Sequence, residues 1–182
     1  MVEQRAEGAV TRTTRRRAPS RARRAVRWSV VRVILLSKGG SQLEDPPGRD
    51  LLISDEKTFA ELAAAIDRAF ARWDLSHLHE FRLLDDRRIV MDDGDEPDEL
   101  DPARQLDERE HTLDSAGLHV GDTFIYVFDF GDDWEHACTL LRTDVDPSEE
   151  WGDVTTEVVP VFGWGTIPDQ YGRVTPEDVQ NE

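Results

Sequence analysis

The residues best suited to chemistry gather at one point of the chain. Between Phe128 and Cys138 stand Asp129, Asp132, Asp133, Trp134, Glu135 and His136, a dense set of acids and an imidazole inside two apolar runs. Such groups offer acid–base chemistry or a mixed oxygen and nitrogen shell for a divalent cation. His77 and His79 are two apart, so in an extended segment both rings project to one side. With His136 and one of Glu135, Asp132 or Asp133 they could complete a shell that activates water for phosphodiester hydrolysis. That spacing matches no standard zinc pattern, and turns collect Asp for conformational reasons alone. In the competing reading Trp134 and Trp73 pack, the histidines bond backbone or carboxylates, and the acids shape a turn. The structural reading is favoured: no residue is assigned a catalytic role, no cofactor is expected, and metal binding stays an open alternative.

Other chemistries are poorly provided for. No Gly-x-Ser-x-Gly elbow exists, and Cys138, the only cysteine, sits beside Ala137 and Leu140 as a small hydrophobe. Lys38-Gly39-Gly40-Ser41 lacks the spacing of a phosphate-cradling loop. The acids of residues 92–101 are out of order for a calcium loop and read as a solvated excursion.

The cluster must be positioned by the elements around it. Thr123 to Phe130 is β-branched and aromatic, Gly131-Asp132-Asp133 supplies turn chemistry, and an alternating run leads out: a long β-hairpin. Phe124, Tyr126, Phe128 and Phe130 fall on one face of it, and Ile125, Val127 and Asp129 on the other. Earlier, Trp28 to Leu36 reads as a strand, and Asp50 to Ile53 as its return. Thr58 is the expected N-cap of a helix, with Glu61 three residues on in capping-box spacing. That helix is predicted from Phe59 to Trp73, with Phe59, Leu62, Ala63, Ile66, Ala69, Phe70 and Trp73 as its apolar stripe. Strands follow near His79 to Leu84 and Arg88 to Met91. Trp164 and Tyr171 belong to an aromatic and glycine loop that packs on the sheet or lines a pocket.

This order predicts an α+β fold: a β-grasp-like roll, a mixed sheet on one main amphipathic helix, with an extra hairpin strand extending the sheet and a C-terminal loop region. The chain divides into a basic disordered arm (1–27), the α+β domain (28–172) and a flexible tail (173–182). Of the formal net charge of −17, residues 1–27, with nine Arg against Glu3 and Glu7, carry +7, so the remainder carries −24. The body repels nucleic acid and the arm attracts it. A lone cysteine and the absence of a long apolar run point to a cytoplasmic protein with no membrane partner.

Two segments carry a resemblance. Trp73-Asp74-Leu75-Ser76-His77-Leu78-His79-Glu80-Phe81 and Tyr126-Val127-Phe128-Asp129-Phe130-Gly131-Asp132-Asp133-Trp134-Glu135-His136 resemble the signature stretches of the open-reading-frame-three-like family first named from a Ri plasmid. The resemblance implies an α+β roll and an association with plasmids and insertion elements, with no established reaction. Cysteines that family members often carry near their C-terminal end have no counterpart at Pro168-Asp169-Gln170-Tyr171-Gly172, so no role resting on them carries over. Two functional readings remain. One is a non-enzymatic interaction module holding a protein partner, linked to mobile-element DNA transactions, with nucleic acid reached only through residues 1–27. The alternative is a divalent-metal-dependent phosphodiesterase or nuclease-like enzyme at His77, His79, Asp132, Asp133 and His136.

Overall fold

The computed structural model describes residues 26–91, 104–154 and 157–173. The acidic excursion, most of the basic arm and most of the tail lie outside them. In order the elements are β1 (Trp28–Lys38), β2 (Ser41–Gln42), β3 (Gly48–Ser54), α1 (Phe59–Ala69), β4 (His79–Arg82), β5 (Arg88–Val90), β6 (Gln105–Asp107), β7 (Thr123–Phe128), β8 (Trp134–Val145), α2 (Pro147–Glu150) and β9 (Val159–Trp164). Among the described residues the strands form one sheet in the order β6-β5-β4-β7-β8-β1-β3-β9, with β2 paired to β1. The β5–β6 pair is parallel and the others antiparallel, so the sheet is mixed. The fold is therefore a sheet-dominated α+β arrangement.

The return strand of the central hairpin, expected to extend the sheet, joins it in the interior. β8 lies between β7 and β1, pairing with both. Its residues alternate buried and half-buried from Trp134 to Leu141, which suits a strand fully hydrogen-bonded on both sides.

One face of the sheet receives α1. Val31, Val33 and Leu35 of β1, Leu51 and Ile53 of β3, Phe81, Ile89, Phe124, Tyr126, Phe128, Trp134, Cys138 and Leu140 pack with Phe59, Leu62, Ala63, Ile66 and Phe70. At roughly 25 cal/mol per Å² of apolar area, these side chains supply the main driving force for folding. Cys138 is fully buried as expected, and its surroundings push the thiol pKa well up. The opposite face buries Val30, Leu52 and Val127 and carries Glu80, which is 1% exposed and bonded by Arg82 and Arg88.

The helix starts as predicted and stops early. Thr58 Oγ1 accepts from Glu61 N, and the Glu61 carboxylate accepts from Thr58 N at 3.0 Å, completing the capping box. At the other end Phe70 is the C-cap and Ala71 turns left-handed at φ 54°. Ala71 N donates to Arg68 O at 3.2 Å and Arg72 N to Asp67 O at 2.8 Å, the two bonds of a Schellman turn. Reversal at Ala71 sends Arg72 inward, 4% exposed, and leaves Trp73 51% exposed. Trp73 is thus not part of the buried stripe.

Two substitutions test this architecture. Ala71→Gly removes a left-handed penalty of about 1–2 kcal/mol and adds a glycine entropy cost of about 0.5–1 kcal/mol. A net gain of about 0.5–1 kcal/mol in urea unfolding is expected, and a loss would contradict the turn. In Gly48→Ala the new Cβ would stand 2.1 Å from Trp164 Cζ2, so Trp164 must leave its seat on β3. Overpacking of this kind should cost about 1–3 kcal/mol in the same assay.

Candidate functional site

The hairpin tip is a five-residue turn built by its own acids. Asp129 (φ 57°) and Asp133 (φ 48°) both adopt the left-handed conformation that Asp tolerates better than most residues. Asp129 Oδ1 accepts from Gly131 N at 3.0 Å and Asp132 N at 3.2 Å, and Asp133 N donates to Asp129 O at 2.6 Å. β7 consequently ends at Phe128, and Phe130 is half exposed instead of joining the buried face. Asp132 lies 3.7 Å from Lys38 Nζ, and Glu135 reaches Ser37 Oγ at 3.5 Å.

Beside the turn, the helix exit and the C-terminal loop lock together. Asp129 N donates to Leu78 O at 2.9 Å, and Asp129 Oδ2 lies 3.3 Å from His77 Nδ1. The other ring nitrogen of His77 is 3.0 Å from the Tyr171 hydroxyl, which donates to Asp74 Oδ2 at 2.7 Å. Hydrogen bonds from Ser76 and then Tyr171 hold the Asp74 carboxyl down at about 2, while the bond to Asp74 pushes the Tyr171 phenol up to about 12. Gln170 is fully buried: its Oε1 accepts from Trp73 N and Asp74 N, and its Nε2 donates to Asp74 O. Lys38 Nζ adds a bond to Gln170 O at 2.9 Å. One side chain thus satisfies three backbone groups that the ended helix leaves behind.

Beneath this latch lies a polar interior. Tyr126 donates its hydroxyl to Asp67 Oδ1 at 2.9 Å, and burial lifts the Asp67 carboxyl to about 6. His136 is fully buried, with its ring 4.9 Å from that of Phe70 and 5.5 Å from that of Tyr126. Desolvation, and then the nearby Arg72 charge, lower the imidazole to about 3, so it is neutral at any physiological pH. The Arg72 guanidinium sits 3.6 Å from the centre of the Trp134 ring, and burial lowers its pKa to about 10. His79 is occupied by Glu108, Nε2 to Oε2 2.7 Å.

The candidate residues are therefore divided. The structure brings His77 to Asp129, gives His79 to Glu108, keeps Asp132, Asp133 and Glu135 at or near the turn, and sends Trp134 and His136 into the core. Among the described residues no three His, Cys, Asp or Glu side chains converge as a cation would require. Trp164 and Tyr171 do not share a pocket: Trp164 lies in β9, donates to Pro46 O at 3.1 Å and borders an open groove of ≈ 420 Å³ with Arg49 and Phe162, whereas Tyr171 packs on Trp73 with ring centres 5.1 Å apart. Sequence reasoning missed Asp67, Arg72, Asp74 and Gln170. None of them carries a local signal: Asp67 depends on how α1 lies across β7, and Asp74 and Gln170 on a contact between segments 96 residues apart.

A family model described as plasmid pRiA4b ORF-3-like protein matches residues 41–157. The chain belongs to this family. The matched span takes in α1, the helix exit through Leu78 and the whole hairpin of the ORF-3-like domain, while Gln170 and Tyr171 lie beyond it. The chain is 39% identical over 74 residues to the uncharacterized protein y4hQ of Sinorhizobium fredii (strain NBRC 101917 / NGR234), an alignment covering 39% of the chain and 34% of that relative. The alignment thus spans about a third of that relative's length. A crystal structure of a protein of unknown function, MM3350 from Methanosarcina mazei Go1, superposes with a TM-score of 0.57 at 17% identity, covering 76% of this chain and 69% of that one. That likeness concerns the fold alone.

The buried titrating groups make stability depend on pH with opposite signs. His136, lowered from 6.5 to about 3, contributes stability that is present above pH 6.5 and lost as pH falls toward 3, on the order of 5 kcal/mol. Asp67, raised from 3.8 to about 6, contributes in the other sense: its share is present below pH 3.8 and lost as pH rises through 6, on the order of 3 kcal/mol. Between pH 7 and 4 the two effects oppose each other, so substitution at each residue separates them. Urea titrations from pH 7 to 4 should show a shallower acid loss in His136→Phe, and Asp67→Asn should gain more stability at pH 7 than at pH 4. Parallel profiles for wild type and both variants would contradict the buried placement.

Proposed function

We propose that this ORF-3-like domain is a non-enzymatic interaction module, acting in plasmid or mobile-element DNA transactions, whose docking surface is the outside of the latch. One observation carries the reading. Trp73, Leu75, Leu78, Phe130 and Tyr171 are between 42 and 57% exposed. They form one neighbourhood: Trp73 packs on Tyr171, Tyr171 bonds His77, and the Leu78 carbonyl bonds the residue before Phe130. Large apolar side chains held rigid at a surface mark binding sites more often than chance exposure does. Asp74, Asp132, Asp133 and Asp169 surround them, so the partner is a protein segment with apolar anchors flanked by basic residues.

Further support comes from how the cluster is used. His77, His79 and Asp129 are committed to carboxylate, hydroxyl and backbone partners, which fixes the exposed side chains beside them in place. The metal-dependent phosphodiesterase reading lacks a comparable observation, because His136 is enclosed and His79 is bonded to Glu108. In this reading the fold is a β-grasp-like roll with β8 inserted beside β1, the protein works in the cytoplasm, and residues 1–27 alone contact nucleic acid. No described helix is long and apolar enough to cross a membrane.

The experiment is affinity capture with the wild-type chain and with Leu78→Ser/Phe130→Ser, using Leu84→Ser as a control at an exposed leucine outside the patch. The double variant should keep its thermal midpoint and lose the partner by at least about tenfold in affinity, equivalent to roughly 1.4 kcal/mol. Equal capture by all three proteins would reject the patch as the docking surface.

A further inference from the structure

The buried side-chain polar atoms without a hydrogen-bond partner among the described residues all belong to three residues: Nε, Nη1 and Nη2 of Arg72, Nε1 of Trp134, and Nδ1 and Nε2 of His136. Buried polar atoms are otherwise satisfied, as is usual in folded proteins. The three residues are a group. Arg72 stacks on Trp134 at 3.6 Å, Trp134 and His136 are two apart on the same face of β8, and the His136 ring feels the Arg72 charge. Arg72 is 4% exposed, and Trp134 and His136 are fully buried. The His136 ring lies near the carbonyls of Tyr126 and Trp134 without making a hydrogen bond of acceptable geometry to either.

The chemistry of what is missing can be read from this inventory. A guanidinium and an indole N–H only donate, and a neutral imidazole offers one donor and one acceptor. Donors outnumber acceptors several-fold, so the complement must be rich in acceptors. The site also carries positive charge in a strongly acidic protein. Lys38 Nζ lies 4.4 Å from the centre of the same Trp134 ring, so two cations converge on one indole. The carboxylates whose charge acts on Arg72 are hydrogen-bonded elsewhere: Asp67 accepts from Tyr126, and Asp169 accepts from Nε and Nη2 of Arg173. A buried guanidinium is retained where it meets a planar oxyanion in paired hydrogen bonds.

We propose that Arg72, Trp134 and His136 form a binding site for a small oxyanion, a phosphate or carboxylate group, enclosed beneath the Gln170 loop. Arg72 is the anchoring donor, the Trp134 indole N–H and the His136 ring add orientation, and Lys38 contributes charge from the rim. Gln170, bonded to Trp73, Asp74 and Lys38, is the roof that must lift to admit the ion. This site is separate from the exposed patch, and an ion bound within it would brace the helix exit that presents Trp73.

The test uses the full chain labelled with ¹⁵N, in a chloride buffer of fixed ionic strength. Inorganic phosphate and, separately, acetate are titrated while the Arg72 Nε–H and Trp134 Nε1–H resonances are followed, with the Trp151 indole as an internal control. A saturable shift of both resonances with either ion, the Trp151 signal staying still, is the expected result; the ion that responds distinguishes a phosphate from a carboxylate site. Arg72→Lys should weaken the response about tenfold by removing the paired geometry. If neither ion moves the two resonances, or if they show cross-peaks to water alone and no saturation, the site is hydrated and the proposal is overturned. The wild-type titration is decisive by itself, so the test stands even where an Arg72 variant fails to fold.

Discussion

Placement of β8 between β1 and β7 is the constraint on which the rest depends. A strand bonded on both sides cannot slip by one residue without turning its whole inward set outward. Register with β7 puts Trp134 opposite Phe128 and His136 opposite Tyr126, and register with β1 puts His136 opposite Leu35. Trp134 and His136 are thereby fixed on the face that α1 covers. The turn acids, the latch and the polar interior all follow from where that strand begins.

The helix end is the second determinant, and it shows where sequence reading succeeds and fails. Thr58 and Glu61 announce the start of α1 because a capping box is a local pattern. No local pattern announces the stop, since the left-handed position is held by Ala71 and not by glycine. With the helix ended at Ala69, the residues expected outside and inside change places: Arg72 enters the core and Trp73 leaves it. β9 was hidden in a similar way, because Pro160 and Gly163 disguise an edge strand as a loop, although proline is tolerated on an edge. The hairpin, the first two long strands and the amphipathic stripe through Phe70 were legible because each rests on a periodicity that tertiary context did not override.

At the candidate site the sequence identified the right neighbourhood and could not assign the division of labour within it. Residue types suited to catalysis are also those suited to turns and buried hydrogen bonds, and only three-dimensional partners separate the two uses. Asp129 spends one carboxylate oxygen on backbone amides and points the other at His77. Asp74 and Gln170 were invisible because their roles depend on a contact between segments about a hundred residues apart. The outcome is a rigid surface of aromatic and aliphatic side chains with acids around it, standing over an interior whose donors lack acceptors.

The view that the hairpin histidine is a structural core residue, and not a metal ligand or proton carrier, can be tested most directly on His136 itself. Ring ¹⁵N shifts should be recorded from pH 7 to pH 4 in buffer free of phosphate and carboxylates. A neutral ring throughout, with one tautomer populated, is the result expected of an enclosed imidazole whose pKa lies near 3. A ring that protonates close to 6.5, or whose nitrogen shifts respond to added zinc, would contradict the structural role and return the cluster to catalysis.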